Sequence, residues 1–380
     1  MKTLKSKSFY LFSIAAALFT CFAFFPALLP AAGAAAKWAT IPATFTCADL
    51  LVSQGKAEAI WADNAENAEY MPNSETVQAI VANQTAKIDA ITGLQEKNNT
   101  IKITWLTTCD LEVDDCSTEC FPDGAEVQSN CKEYVPTICK EVNFKITDAT
   151  LRGSIYSKEE VLARAMLKAI KKIEDSLGAA GVAFLEDAEG VNAFMGDYGT
   201  LTGGGVVGNS ATKIAPANWT ATLLGYFIQA SKMNLFSSPY LLSGNNLYQA
   251  YWNAQAEFAN ADGKGGLNKF NQMKPTFDLW NIDSAFANPA TFLIDRSAVA
   301  FGGKWQYPEQ VTDFGGDIGK RYSIPSKTIP GLRYDVHYLM TCVNKDIVHK
   351  FNIIAKAGFY LNPTGCTENN THVLRFEKLA

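Results

Sequence analysis

Histidine is nearly missing from this sequence: three in 380 residues, His337, His349 and His372. There is no H-E-x-x-H, no G-x-S-x-G, no phosphate-binding loop and no C-x-x-C. The common signatures of zinc proteases, serine hydrolases, nucleotide-binding proteins and thiol redox proteins are therefore lacking. The glycine-rich run Tyr198 to Gly208, "YGTLTGGGVVG", has no Gly-Lys-Ser/Thr ending and reads as a flexible connection. "DFGG" at Asp313 matches a kinase tripeptide without the rest of the kinase set. Cys342 and His349 are the residue types of a thiol nucleophile and its base, but their spacing equally fits two unrelated residues in adjacent segments. Asp262 has too few neighbouring acids for a calcium loop. Asp295 and Arg296 read as a structural ion pair. A basic excess is missing too: 33 Lys and Arg stand against 38 Asp and Glu, a net charge of −5. Nothing in that balance resembles a nucleic-acid-binding domain with a basic stripe; it does not exclude nucleic acid on one face but argues against direct, tight binding. There is no internal repeat and no low-complexity linker.

What is present begins with the composition. The chain is 48% hydrophobic and 19% charged, enough to build a core without disulfides. Lys2, Lys5 and Lys7 precede an apolar run from Phe9 to about Ala36, which reads as a secretory signal peptide, with a membrane anchor as the alternative. Cysteine is uneven. Of nine, five lie in one window: Cys109, Cys116, Cys120, Cys131 and Cys139. Disulfides in an oxidising compartment, free thiols and a metal site are three readings of that window. The metal reading lacks a histidine and a second close pair of cysteines.

The window sits between "IKITWL" and "VNFKIT", which alternate as strands do. The expectation is a long two-stranded excursion with a Cys-rich tip carrying five acids from Asp110 to Glu119; these acids read as a solvated run or as calcium ligands. Ser74 to Leu94 has helical spacing. Ser157 to Leu177 is the clearest helix, with a Ser157–Glu160 capping box. Its apolar stripe is Val161, Leu162, Met166, Ala169, Ile170, Ile173 and Leu177. Its other face carries Lys158, Arg164, Lys168, Lys171 and Lys172, a face for solvent or for an acidic partner. Gly178 and Gly181 are expected to end it. A second helix is predicted from about Ala217 to Met233, then a strand "PYLLSG", a third helix from Asn245, and a short strand over Thr276 to Ile282. "TFLIDRSAVAF", "LRYDVHYLMTCV", "KFNIIAKAGFYLNP" and "HVLRFEKL" read as strands, most of them antiparallel. The fold class is α+β with interleaved subdomains.

The stretches "NLFSSPYLLSGNNLY", "FDLWNID", "TFLIDRSAVAF", "IPGLRYDVHYLMTC" and "GFYLNPTGC", in this order, resemble the major capsid protein of tailed phages, the Hong-Kong-97-type coat fold, in a divergent form found among phages of Bacteroidetes-like hosts. The resemblance spans roughly Asn99 to Ala380. It implies a leader over 1–36, an N-terminal arm over 37–97 that reaches neighbouring subunits, and an extended Cys-rich β loop over 98–156. It further implies a peripheral domain with a spine helix over 157–211, an axial domain over 212–301, and C-terminal strands over 302–380 returning to the peripheral domain. On this reading the protein is a non-enzymatic virion subunit without a cofactor or a small-molecule substrate. Its partners are copies of itself and, through weak non-specific contacts, packaged DNA. Phe236, Pro239, Tyr240 and Tyr248 are the expected intersubunit contacts, and the cysteine window a source of crosslinks. The signal-like leader points instead to an exported, disulfide-containing periplasmic or cell-surface binding protein. A secreted hydrolase with an unrecognised site is a third possibility.

Overall fold

A helix begins where Ser157 accepts a hydrogen bond from the backbone N–H of Glu160 at 3.3 Å; this is one half of the expected capping box, since the Glu160 carboxylate turns to Arg164. The computed structural model describes residues 45–63, 66–89, 100–106, 129–193, 199–201, 211–220, 223–248, 250–252, 275–286, 288, 290–314, 318–343, 346–363 and 371–378. The expected leader lies outside them, and no helix among them is long and apolar enough to cross a membrane. Residues from Thr44 to Ala380 pack as one unit.

The helices are α1 (Cys47–Ala62), α2 (Glu75–Asn83), α3 (Asp148–Arg152), α4 (Lys158–Asp187), α5 (Leu223–Met233) and α6 (Asn281–Ala285). The strands are β1 (Lys87–Asp89), β2 (Ile101–Leu106), β3 (Ser129–Tyr134), β4 (Ile138–Thr147), β5 (Gly199–Leu201), β6 (Thr212–Ile214), β7 (Pro239–Ser243) and β8 (Pro275–Phe277). They continue with β9 (Ala290–Asp295), β10 (Val299–Lys304), β11 (Thr312–Phe314), β12 (Gly319–Pro325), β13 (Arg333–Val343), β14 (Asp346–Leu361) and β15 (Val373–Lys378). The α+β class stands.

Helix α4 has 30 residues, about 45 Å at 1.5 Å per residue. It does not stop at Gly178 and Gly181 as the sequence suggests. Both are positions of close approach. A Cβ on Gly178 would lie 2.4 Å from the Asn73 carbonyl and 2.6 Å from the Asn281 amide nitrogen, and one on Gly181 would lie 3.1 Å from the Phe359 ring. The helix tolerates their propensity cost, about 1 kcal/mol each, because other elements pack where side chains would stand.

The inner face of α4 lies on a sheet ordered β10-β14-β13-β12-β11, with β4 also on β14. The 16-residue strand β14 is its hub. It pairs antiparallel with β13, with β4 from Val348–Thr147 to Ala357–Ile138, and with β10 from Lys356 to Leu361. His349, Phe351, Ile353, Ala355, Ala357 and Phe359 alternate along it and are all buried. Lys350, Asn352, Ile354 and Lys356 take the opposite face. A one-residue slip would exchange the two sets, so burial fixes the register. This pairing corrects the expected two-stranded excursion. "VNFKIT" belongs to β4 and pairs with β14. "IKITWL" is β2 and pairs with β1 and β3. Ile101, Ile103 and Trp105 of β2 are buried against Ala300 and Tyr360, so the base of the ribbon rests on the body of the chain.

The second six-stranded sheet runs β5-β6-β15-β9-β7-β8, with β6–β15 and β7–β8 parallel. All six residues of β9 are buried. Leu293 and Leu241 join a core with Leu223, Phe227 and Phe376. Phe292, Ile294, Tyr240 and Leu242 join the core that holds α4. This sheet is a wall shared by two cores. Strand β15 completes this wall rather than the sheet of β13 and β14. "FDLWNID" divides into β8, a turn and α6, not one strand. The helix expected from about Ala217 is described over Leu223–Met233, and Pro216–Asn218 form a 3-10 turn.

Gly178→Val should lower stability by about 1–3 kcal/mol, the usual range for overpacking, read as a lower urea midpoint at unchanged m-value. An unchanged midpoint would mean that the contact with Asn73 is not close.

Candidate functional site

With no catalytic constellation in the sequence, the functional question concerns surfaces. The outer, basic face of α4 is one. Lys158 pairs with Asp49 at 3.2 Å, Arg164 with Glu66 at 3.4 Å and Glu160 at 3.2 Å, and Lys168 with Glu69 at 2.7 Å. Lys171 donates to the Glu69 carbonyl at 3.0 Å. The acidic partner of this face is the chain's own segment 49–69. These part-exposed pairs each contribute little to stability, but together they set alignment. Ahead of α1, the backbone N–H of buried Phe45 donates to the Tyr338 hydroxyl at 3.2 Å. Its ring meets His349 edge-on at 4.8 Å, with the Lys158 ammonium 4.2 Å from the ring centroid. The described part of the expected N-terminal arm thus lies on its own body.

Cys109, Cys116 and Cys120 fall outside the described residues. Cys131 on β3 and Cys139 on β4 are exposed free thiols. Among the described residues no group of three His, Cys, Asp or Glu could hold a metal ion.

The four expected contact residues do not form one exposed patch. Phe236 is buried, 5.3 Å from the His372 ring. Tyr240 is buried on the α4 side of the shared wall, its hydroxyl pKa pushed up by burial. Pro239 is half-buried in β7. Tyr248 is half-buried with its ring edge-on to Phe277 at 5.0 Å. The aromatics of "NLFSSPYLLSGNNLY" are used mostly inside the chain, because β7 is an interior strand whose two faces meet two cores.

The apolar surface that stands in solvent is elsewhere. Ile155 is fully exposed (102%), Trp280 is 66% exposed and Leu235 is 63% exposed at a φ of 58°. Val135, Tyr156 and Met233 are also exposed. A sequence signal existed for Ile155 and Tyr156. They lie between Gly153 and the helix cap Ser157, where no apolar periodicity can bury them.

His349 is structural. His349 is fully buried. Its Nδ1 lies 2.9 Å from the Tyr338 hydroxyl and its Nε2 3.7 Å from Asp148. Cys342 is exposed and stands opposite Ile347, whereas His349 stands opposite Met340, so the two make no nucleophile–base pair. Asp295 does not pair with Arg296. It accepts from the Ser238 N–H at 2.7 Å and from the Ser237 and Ser297 hydroxyls. Buried Glu174 accepts from the hydroxyls of Ser326, Thr328 and Tyr334. That contact ties the turn "PSKTIPG" to α4, and burial raises the Glu174 pKa.

No protein-family model and no curated protein matches the chain. Solved structures do. One of Mycobacterium phage Che8 is 10% identical, with 77% of this chain and 92% of that chain covered, at a TM-score of 0.40. The capsid asymmetric unit of cyanophage A-1(L) is 13% identical, with 74% and 88% covered, at a TM-score of 0.46. The capsid of a native GTA particle is 11% identical, with 75% and 86% covered, at a TM-score of 0.40.

Burial holds the pKa of His337, His349 and His372 below the ordinary 6.5. Each favours the neutral ring in the folded state. Their stabilisation is complete above pH 6.5 and is lost as pH falls below it. Glu174, with its raised pKa, acts in the opposite sense, losing its contribution as pH rises through its folded value. The wild type is expected to lose urea resistance between pH 7.5 and 5.5 more steeply than His349→Gln, since all other groups cancel in the comparison. Superimposable pH profiles would refute the assignment.

Proposed function

We propose that this chain is a self-assembling shell subunit of the tailed-phage, Hong-Kong-97-type coat class, located in the virion and without catalytic activity. The observation that carries the reading is the set of large apolar side chains left in solvent, Ile155, Trp280 and Leu235 foremost, on a chain whose two main cores are already filled by other residues. Where exposed apolar side chains sit together they mark an association surface, and the reading takes these as contacts between copies. Repeated heterologous contacts between identical copies close into rings when the rotation closes. The element order supports the same class: a strand ribbon, the long helix α4, a second sheet, and returning strands. The ribbon of β2 and β3 is the base of the extended loop of such a subunit, α4 its spine, and 212–301 with β15 most of its axial domain; β4, expected in the loop, belongs to the large sheet. Exposed Cys131 and Cys139 are then sources of crosslinks between copies once the particle meets an oxidising medium.

The purified full-length chain should form rings or closed particles by negative-stain microscopy and sediment as large species. A chain that stays monomeric at high concentration would refute the reading. Ile155→Asp should weaken association while leaving the urea midpoint of the subunit within about 0.5 kcal/mol, the usual range for a surface substitution.

A further inference from the structure

An acidic chain has one face where positive charge goes unanswered. On the side of the large sheet away from α4, Lys145 of β4 and Lys350 of β14 are direct register partners. Like charges facing each other across a strand pair are destabilising. In the adjacent row, Asn143, Asn352, His337 and Arg321 lie side by side across β4, β14, β13 and β12. Lys356 lies further along β14, where Asp335 of β13, on the same face, answers its charge; the unmatched cations are Lys145, Lys350 and Arg321. Among the described residues none of Lys145, Lys350, Lys356 and Arg321 has a carboxylate within 4 Å. Glu141, the acid on the same face of β4, is 3.4 and 3.3 Å from the side-chain amides of Asn143 and Asn352, not a lysine. The Arg321 guanidinium carbon sits over the Phe314 ring, 3.3 Å from its centroid. Lys145, Lys350, Arg321 and His337 line an open concavity of about 650 Å³. The field is felt locally: after burial, the charges of Arg321 and Lys356 are what depress the His337 pKa.

We propose that this sheet face binds the phosphate backbone of nucleic acid. Strands lie about 4.8 Å apart, so Arg321, three strands from β4, stands over 10 Å from the Lys145–Lys350 pair. One phosphate cannot meet all three; a chain of phosphates can. Lysine, arginine and asparagine are the side chains that contact phosphate oxygens without reading bases. Contacts of this kind, made to the backbone alone, carry no sequence information. The proposal deepens the shell reading, in which the bound polymer is the enclosed genome, and rests on it for that biological role only.

The test uses the dispersed full-length subunit under conditions where it does not assemble, so binding and particle formation are scored separately. A short fluorescently labelled DNA duplex is titrated at several salt concentrations. The triple variant Lys145→Gln, Lys350→Gln, Arg321→Gln should bind at least tenfold more weakly. Its log–log salt slope should be shallower by about 2–3, near 0.9 for each lost phosphate contact. Lys232→Gln, away from this face, should bind as wild type does. Lys145→Gln alone should unfold at a slightly higher urea midpoint, because it relieves the lysine pair, and a cooperative urea transition of the triple variant itself shows that it folds. No duplex binding by the wild type, or equal binding by the triple variant, overturns the proposal. Equally strong displacement of the duplex by poly-glutamate at matched charge also overturns it and assigns the face to an acidic protein. Failure to form particles with duplex binding intact would count against the shell reading alone.

Discussion

How closely α4 approaches its surroundings governs the rest of this chain. Gly178 and Gly181 let the backbone at Asn73, the amide of Asn281 and the ring of Phe359 sit where side chains would otherwise stand. That closeness brings Glu174 within reach of three hydroxyls from the β12–β13 turn and its flank. It also makes the inward row of β14 a buried row, and burial of that row fixes the register of β4, β10 and β13. A helix held further away would leave the carboxylate of Glu174 without donors, and an uncompensated buried charge is costly.

Much of this was legible in the sequence, and the misses have physical causes. Period-two alternation identified β13, β14 and β15, and the Ser157 capping box located the start of α4. The far end of α4 was misjudged because a glycine that terminates a helix and a glycine that admits a neighbour look alike without the neighbour. Alternation located "IKITWL" and "VNFKIT" but not their partners, since strand pairing is decided by distant residues such as Phe351 and Tyr360. The surface residues were harder still. Aromatic content pointed to Phe236 and Tyr240, but a strand buried on both faces also reads as aromatic and apolar. Ile155 and Trp280, which are exposed, sit in short irregular stretches where no period can announce a face.

Charge is unevenly distributed, and the net value conceals it. On one side of α4 the lysines and arginine are matched by Asp49, Glu66 and Glu69, so that surface is internally neutralised. On the far side of the sheet Lys145, Lys350 and Arg321 have no such match. A net charge of −5 is thus compatible with a local excess of the opposite sign. A linear scan cannot detect it, because the three cations come from segments of sequence more than twenty residues apart and are gathered only by the β4–β14–β13–β12 pairing.

The shared wall has a mechanical meaning. Successive side chains of β9 are anchored in alternate interiors: Leu293 with the α5 layer, Phe292 and Ile294 with the α4 layer. A push on either half is transmitted through one backbone, with no soft joint at that seam. If the molecule flexes when load is applied, the bending belongs in the peripheral ribbons and turns. The two halves travel together as a stiff block.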